Sequence, residues 1–343
     1  MRRLLRVVAV GGVVAAVVAV LLFTAWFRAE LRRPFAAWDG EFVDVRLENG
    51  MSARSMLERL GGEGVLRNPH ALRLWLAWRG GSGSLHAGEY RFHEPATPLQ
   101  VLDRLTAGDV LLHPVTVPEG MVLEQVARRC ADAGLGGYDD LLAAFRDAAL
   151  VADLDPGATD LQGYLFPETY HFPRGESPAG VARAMVNRFR DVAGSDYGKR
   201  AAERGLDLRE AVTLASMIEM ETSLDEERPK IARVFLNRLE RGMRLQCDPT
   251  VIHALYRAGR NVERLTYADL EFDSPWNTYV AFGLPPGPIA NPGRASLEAA
   301  VNPADGRELY FVASPDGGHD FSTTLDAHLK AVARWKAYLR SSR

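Results

Sequence analysis

The sequence predicts an α+β protein carried on a single N-terminal transmembrane helix, with a small α/β unit followed by a larger mixed α+β unit. Three observations predict this. Val7 to Phe27 is a run of 21 residues without a charge. Between residues 41 and 110, short alternating stretches with strand periodicity are interleaved with helical ones. From Leu111 onward, helical patterns mix with short strands and Gly/Pro turns, and no repeat or low-complexity tract interrupts them. At roughly 100–200 residues per domain, 343 residues leave room for about two domains. Hydrophobic residues at 47% and charged residues at 25% are ordinary globular values, which argues against wholesale disorder. The net charge of -3 lacks the basic excess that phosphate contacts need, so no nucleic-acid partner is expected. Two cysteines, Cys130 and Cys247, are too few for a disulfide scaffold or a cysteine zinc cluster.

At about 1.5 Å per residue the run 7–27 is long enough for a ~30 Å hydrocarbon core. Arg2, Arg3 and Arg6 precede it and Arg28, Arg32 and Arg33 follow it, so the flanking charge does not fix orientation. A cleaved signal peptide is the rival reading. Its apolar region is usually ~7–15 residues long and ends at a small-x-small site. This run is longer and closes on Phe23-Thr24-Ala25-Trp26-Phe27, with Trp26 suited to a membrane interface. A retained anchor is therefore expected, with residues 1–6 as a short tail, 28–40 as a connector, and the folded body on the far side.

In the small unit, 41–110, Phe42 to Leu47 alternates as a half-buried strand does. Ser52 is placed to cap a helix bearing Met56, Leu57 and Leu60 on one face. Gly80 to Ser84 predicts a flexible loop, Gly88 to Phe92 a strand, and Pro98-Leu99-Gln100 the start of a helix through Val101, Leu102 and Leu105. In the larger unit, 111–343, His113 to Val117 is strand-like and Pro118-Glu119-Gly120 a turn. The next helix carries Val122, Val126 and Cys130 on one stripe, so Cys130 is expected as a buried structural thiol. Tyr164, Phe166, Tyr170 and Phe172 alternate and are expected as strand core rather than an exposed ligand platform.

Chemistry concentrates in Ala211 to Thr222, a largely apolar helix that ends in Glu219 and Glu221. Apolar surroundings raise a carboxyl pKa, and a carboxylic acid still protonated near neutrality is what a glycosidase-type general acid must be. Two positions apart on a helix is ~200°, so the two glutamates cannot share a role. Glu219 falls inside the apolar arc with Leu208, Val212 and Ala215, which suits a carboxylate paired with an arginine. Glu221 falls at the arc's edge beside Leu214, better placed to reach a cleft. Glu219 remains the alternative acid, or a partner that positions Glu221.

Further segments follow in order. Glu226 to Leu239 is an amphipathic helix with Ile231, Val234 and Phe235 on one side. Then come Gly242-Met243-Arg244-Leu245-Gln246-Cys247-Asp248-Pro249-Thr250, Asn277-Thr278-Tyr279, Gly283 to Ile289, and Asn291-Pro292-Gly293. Together with Gly88 to Phe92, Pro118 to Met121, Gly163 to Tyr170, and Tyr310-Phe311-Val312 leading to Gly318-His319, this order resembles the endolytic murein transglycosylase family, also called YceG-like. The resemblance runs from the apolar segment nearly to the C-terminus. A lone Pro-Pro-Gly is weak, but this many motifs in one order are specific.

The resemblance implies a bacterial inner-membrane lyase with a LysM-like small domain and a periplasmic catalytic domain. It implies cleavage of the MurNAc-GlcNAc bond inside peptidoglycan strands, with 1,6-anhydro ends. It also implies peptidoglycan synthases as partners. The family's catalytic glutamate, second in its Glu-x-Glu-Thr/Ser segment, falls on Glu221, with Thr222 next. Gln246, Asp248, Asn277 and Tyr279 are the candidate substrate-binding residues. Asp248 also suits a helix cap with Pro249 at the first helical position, and Asn277 a turn. Gln162 stands where an acidic residue is expected, and Glu168 replaces a usual Asp. His319 and His328 lack metal-ligand spacing, and no dinucleotide or phosphate-loop fingerprint occurs, so no metal or cofactor is expected. Two rival readings stand beside this one: a lysozyme-type hydrolase using Asp248 as its second carboxylate, and a membrane-tethered wall-binding scaffold without turnover.

Overall fold

The computed structural model describes residues 2–79 and 85–341, without the side chains of 2–9, so the glycine-serine loop expected at 80–84 lies outside the described residues. The chain divides into two compact units, Met1–His113 with Pro173–Gly175, and Pro114–Phe172 with Glu176–Arg343.

The first unit opens with α1 (Arg2–Arg32), of which Val10–Arg32 is long and apolar enough to cross a membrane, with a mean hydropathy of 2.4. The helix does not stop where the apolar run ends. It continues to Arg32, and Leu31 is buried with Leu72, Leu76 and Leu102, because the domain core offers apolar surface to its last turns. Then follow β1 (Val43–Leu47), α2 (Ala53–Gly62), α3 (Pro69–Trp78), β2 (Gly88–Phe92) and α4 (Pro98–Ala107). β1 and β2 pair antiparallel, Val43 opposite Phe92 and Leu47 opposite Gly88. Val45, Leu47, Tyr90 and Phe92 alternate into the core as their spacing predicts. Ser52 accepts from the Ser55 amide at the start of α2, and Thr97 and Gln100 form a reciprocal capping box on α4. The periodicity analysis missed α3. Its signal was Asn68-Pro69, an N-cap residue followed by proline in the first turn, and Asn68 does accept from the Ala71 amide.

The second unit is mainly helical: β3 (Leu112–Thr116), α5 (Leu123–Asp132), α6 (Tyr138–Phe145), β4 (Thr169–Pro173), α7 (Pro178–Ala193), α8 (Tyr197–Ala202), α9 (Leu208–Glu221), α10 (Arg228–Glu240), α11 (Asp248–Arg257), α12 (Tyr267–Leu270), α13 (Arg294–Val301), β5 (Tyr310–Ala313), β6 (His319–Ser322) and α14 (Leu325–Ser341). β3 pairs with β4, and β5 with β6 as an antiparallel hairpin. Cys130 lies fully buried on α5, and both cysteines are free thiols. The four alternating aromatics do not form one strand. Tyr164 and Phe166 lie in the turn before Pro167, and only Tyr170 and Phe172 are on β4, although Tyr164, Phe166 and Phe172 are core residues.

α9 is the axis of this unit. Every residue from Ala211 to Ile218 is buried, so the helix is enclosed all round by α8, α10, α11 and α13. Two polar side chains fasten the 286–293 loop to it and to the turn at 161–168. Ser216 Oγ accepts from the Ile289 amide at 2.9 Å, and Asn291 Oδ1 accepts from the Gly163 and Leu165 amides at 2.8 and 3.1 Å. Gly163 sits at φ 90°, and a Cβ there would meet Pro288 at 2.5 Å, so this close approach requires glycine.

Candidate active site

Glu219 and Glu221 end the same helix but face different surroundings. The Glu219 side chain is only 6% exposed. Arg228 Nη2 donates to its Oε1 at 3.2 Å, and the Gly293 amide donates to its Oε2 at 2.9 Å. Arg228 is itself buried and also donates to Ser296 Oγ at 3.0 Å and to Asp225. Glu219 is thus the clasp that joins α9 to α10 and α13.

Glu221 has no arginine within ion-pair distance among the described residues. It keeps an opening to solvent, while the protein closes around most of its carboxyl. Burial pushes its pKa up to about 7. A hydrogen bond from Cys247 pulls the other way, the Asp248 charge adds to the rise, and His319 and Arg238 offset part of it. This is a carboxylic acid half-protonated near neutrality, the condition for a general acid.

Three elements surround it. The first is the start of α11, where Cys247 is the N-cap residue and Asp248 the first helical residue. Asp248 does not act as the cap expected of it, nor is Pro249 first in the helix. Its Oδ1 instead accepts from the Tyr279 hydroxyl at 2.5 Å. Burial and this bond raise the Tyr279 pKa, so the phenol stays protonated. Gln246 precedes this turn at φ 51°, the one left-handed non-glycine among the described residues, a conformation costing on the order of 1–2 kcal/mol. Its amide donates to Thr278 O at 3.1 Å, and the Cys247 amide donates to Thr278 Oγ1 at 3.0 Å, which hold the strained turn.

The second is α10, which supplies Arg238. This buried guanidinium donates to the carbonyls of Leu309 at 2.6 Å and Leu245 at 2.7 Å, and reaches Gln246 Oε1 at 3.5 Å. The third is the β5–β6 hairpin. Glu227 accepts from the His319 amide at 2.7 Å, pairs with His319 Nδ1 at 2.6 Å, and accepts from the Thr222 hydroxyl at 3.3 Å. Burial alone would raise the Glu227 pKa, but the bonds from His319 outweigh it and hold the carboxyl below its usual range. Sequence analysis missed Arg238, Glu227 and the role of His319 beside them. The available signal was the Glu-Glu-Arg start of α10 together with the Gly-His motif, but Glu227 and His319 lie 92 positions apart in the sequence.

Of the candidate substrate residues, Gln246 and Asp248 are exposed and Tyr279 half-buried. Asn277 stands apart from these three. It is fully buried, its Nδ2 donates to Leu270 O and Phe272 O, and its Oδ1 accepts from the Tyr279 amide. It shapes the loop that presents Tyr279 and has no donor to spare for a ligand. Gln162 Oε1 accepts from the Leu123 amide at 2.7 Å, and Glu168 pairs with Arg188. A cavity of about 600 Å³ lies apart from these groups, lined by Glu124, Arg146, His253, Tyr256 and Arg257 among others and by none of the candidate catalytic residues.

Residues 45–334 match the model of the YceG-like family. The chain belongs to this family. A relative from Bacillus subtilis, named endolytic murein transglycosylase, is 33% identical over 309 residues, covering 85% of this chain and 84% of its own. A protein of the same name from Streptococcus pneumoniae is 27% identical over 88% of this chain, which spans 59% of that longer protein. The crystal structure of a YceG-like protein from Listeria monocytogenes aligns with a TM-score of 0.57 and 32% identity, covering 84% of this chain and 98% of that one.

Proposed function

We propose that this chain is an endolytic murein transglycosylase, a lyase that cuts peptidoglycan glycan strands internally, and that Glu221 is its acid. The observation that carries the reading is the enclosed Glu221 carboxyl at the end of α9, with no arginine at ion-pair distance among the described residues, where burial pushes its pKa up to about 7. Protonated Glu221 donates to the glycosidic oxygen between MurNAc and GlcNAc, and that bond breaks to leave oxocarbenium character at MurNAc C1, assisted by the 2-acetamido group. The Glu221 carboxylate then takes the proton of the same sugar's C6 hydroxyl, whose oxygen bonds C1 and closes the 1,6-anhydro ring. The nucleophile is tethered to the reacting ring, so one carboxyl serves both steps and no water is consumed. Gln246, Asp248 and Tyr279 bind the sugars, with the Tyr279 hydroxyl fixing the Asp248 carboxylate.

The apolar helix α1 anchors the chain in the bacterial inner membrane, and the LysM-like small domain and the catalytic domain lie on the periplasmic side. Internal cutting there terminates strands as peptidoglycan synthases extend them. Mass spectrometry of digested peptidoglycan tests the chemistry. Anhydro-MurNAc ends are expected, and reducing MurNAc ends would replace this reading by hydrolysis with Asp248 as the second carboxylate. A wild-type protein that leaves the glycan intact would favour the scaffold reading.

A further inference from the structure

The small unit carries an aromatic surface that neither its own core nor the proposed chemistry accounts for. Five rings form an unbroken series from the apolar helix to α3. Trp26 and Phe23 lie 5.8 Å apart, Phe23 and Phe27 5.9 Å, Phe27 and Trp75 6.5 Å, and Trp75 and Trp78 5.3 Å. The series leaves the core as it proceeds. Phe27 and Trp75 pack against the small unit's interior, whereas Trp26 is 50% and Trp78 75% exposed, and Leu74 beside them is 49% exposed. Contiguous exposed apolar area of this kind marks an interaction surface.

Geometry selects the partner. The apolar run ends at Phe27, and at about 1.5 Å per residue its length matches a ~30 Å hydrocarbon core, so Phe27 stands at the edge of that core. Trp75 is one ring contact from Phe27, and Trp78 one further, so α3 lies at headgroup depth. Tryptophan concentrates at that depth because its ring is amphipathic. Arg28, Arg73 and Arg79 are all exposed, and Arg79 lies 5.3 Å from the Trp75 ring centroid, which adds cations suited to anionic headgroups. We infer that α3 of the small unit lies on the membrane surface, with Leu74 and Trp78 inserted among lipid headgroups as a second attachment beside the spanning helix. This rests on the reading of α1 as a membrane anchor.

The full chain in vesicles of phosphatidylethanolamine and phosphatidylglycerol tests it. Spin labels are placed singly through L74C, W78C, V17C and E240C, with the two native thiols buried and the unsubstituted protein as labelling background. Collision of each label with oxygen and with an aqueous nickel chelate reports depth. Labels at 74 and 78 are expected to give oxygen-to-nickel ratios between those of position 17, inside the bilayer, and position 240, in water. Labels at 74 and 78 as nickel-accessible as position 240, with 17 still shielded, overturn the proposal, leave the anchor standing, and free these rings for glycan. A nickel-accessible position 17 removes the anchor, and the surface attachment with it.

Discussion

At the scale of single residues, the two glutamates of α9 show how neighbours divide one functional group into two roles. Glu219 is held by Arg228 and the Gly293 amide. Glu221 meets burial and the Asp248 charge instead. With Glu221 as the proposed acid, activity is expected to fall as pH rises through about 7, where this carboxyl loses its proton. E221Q should lower the rate on the order of 10²–10⁴-fold and abolish that alkaline limb, measured as kcat/KM against pH on isolated glycan. The same shift makes a stability prediction with a definite sign. Between the ordinary carboxyl value of 4.5 and about 7, the folded chain holds a proton that the unfolded chain has released, so stability declines as pH rises through that window. E221Q removes the ionised group, and it should melt above wild type at pH 8 by on the order of 3 kcal/mol but by little at pH 4. Melts that coincide at pH 8 would contradict the burial of this carboxyl. The different surroundings of the two glutamates were legible because both sit on one periodic helix. Those of Asn277 were not, because membership in a motif does not reveal whether an amide faces a ligand or a backbone, and here both ends of the amide are taken by the chain.

At the scale of elements, α9 depends on what is fastened to its last turn. The Glu219–Arg228 pair, both side chains at most 6% exposed, joins three helices, and breaking one side of such a pair leaves a buried charge poorly compensated. E219A should cost ~3 kcal/mol, read by chemical denaturation, while kcat of the folded fraction falls far less than in E221Q. An equal loss of kcat at full stability would make Glu219 the acid. Helices with capping residues and apolar stripes, such as α2, α4 and α9, were legible because their signals lie within a few residues of one another. The β5–β6 hairpin's service to the site was not, because Glu227 and His319 are brought together by tertiary folding rather than by any local pattern.

At the scale of the whole molecule, the chain has two separate cores, one built from α1–α4 with β1 and β2, the other around α9. Two cores predict that unfolding is not a single transition. In calorimetry of the detergent-solubilised full chain, E219A should shift the transition of the larger unit and leave that of the smaller in place. A uniform shift of both would mean that the units unfold as one. The reach of α1 into the small core was not legible in the sequence, since an apolar run reads the same whether lipid or protein covers its end.

That reach bears on whether the chain can be shed. A protease cutting between Phe27 and Leu31 would take Phe27 away from the core and leave Leu31 at a frayed terminus, and a cut just beyond Leu31 would remove that leucine as well. Deleting one buried leucine from a core already this small forfeits about 3 kcal/mol, enough to melt many domains of its size. A truncation beginning at residue 34 should therefore lose its small domain to digestion well before one beginning at residue 24, so that removing the apolar helix also discards the fold of the domain it leads into.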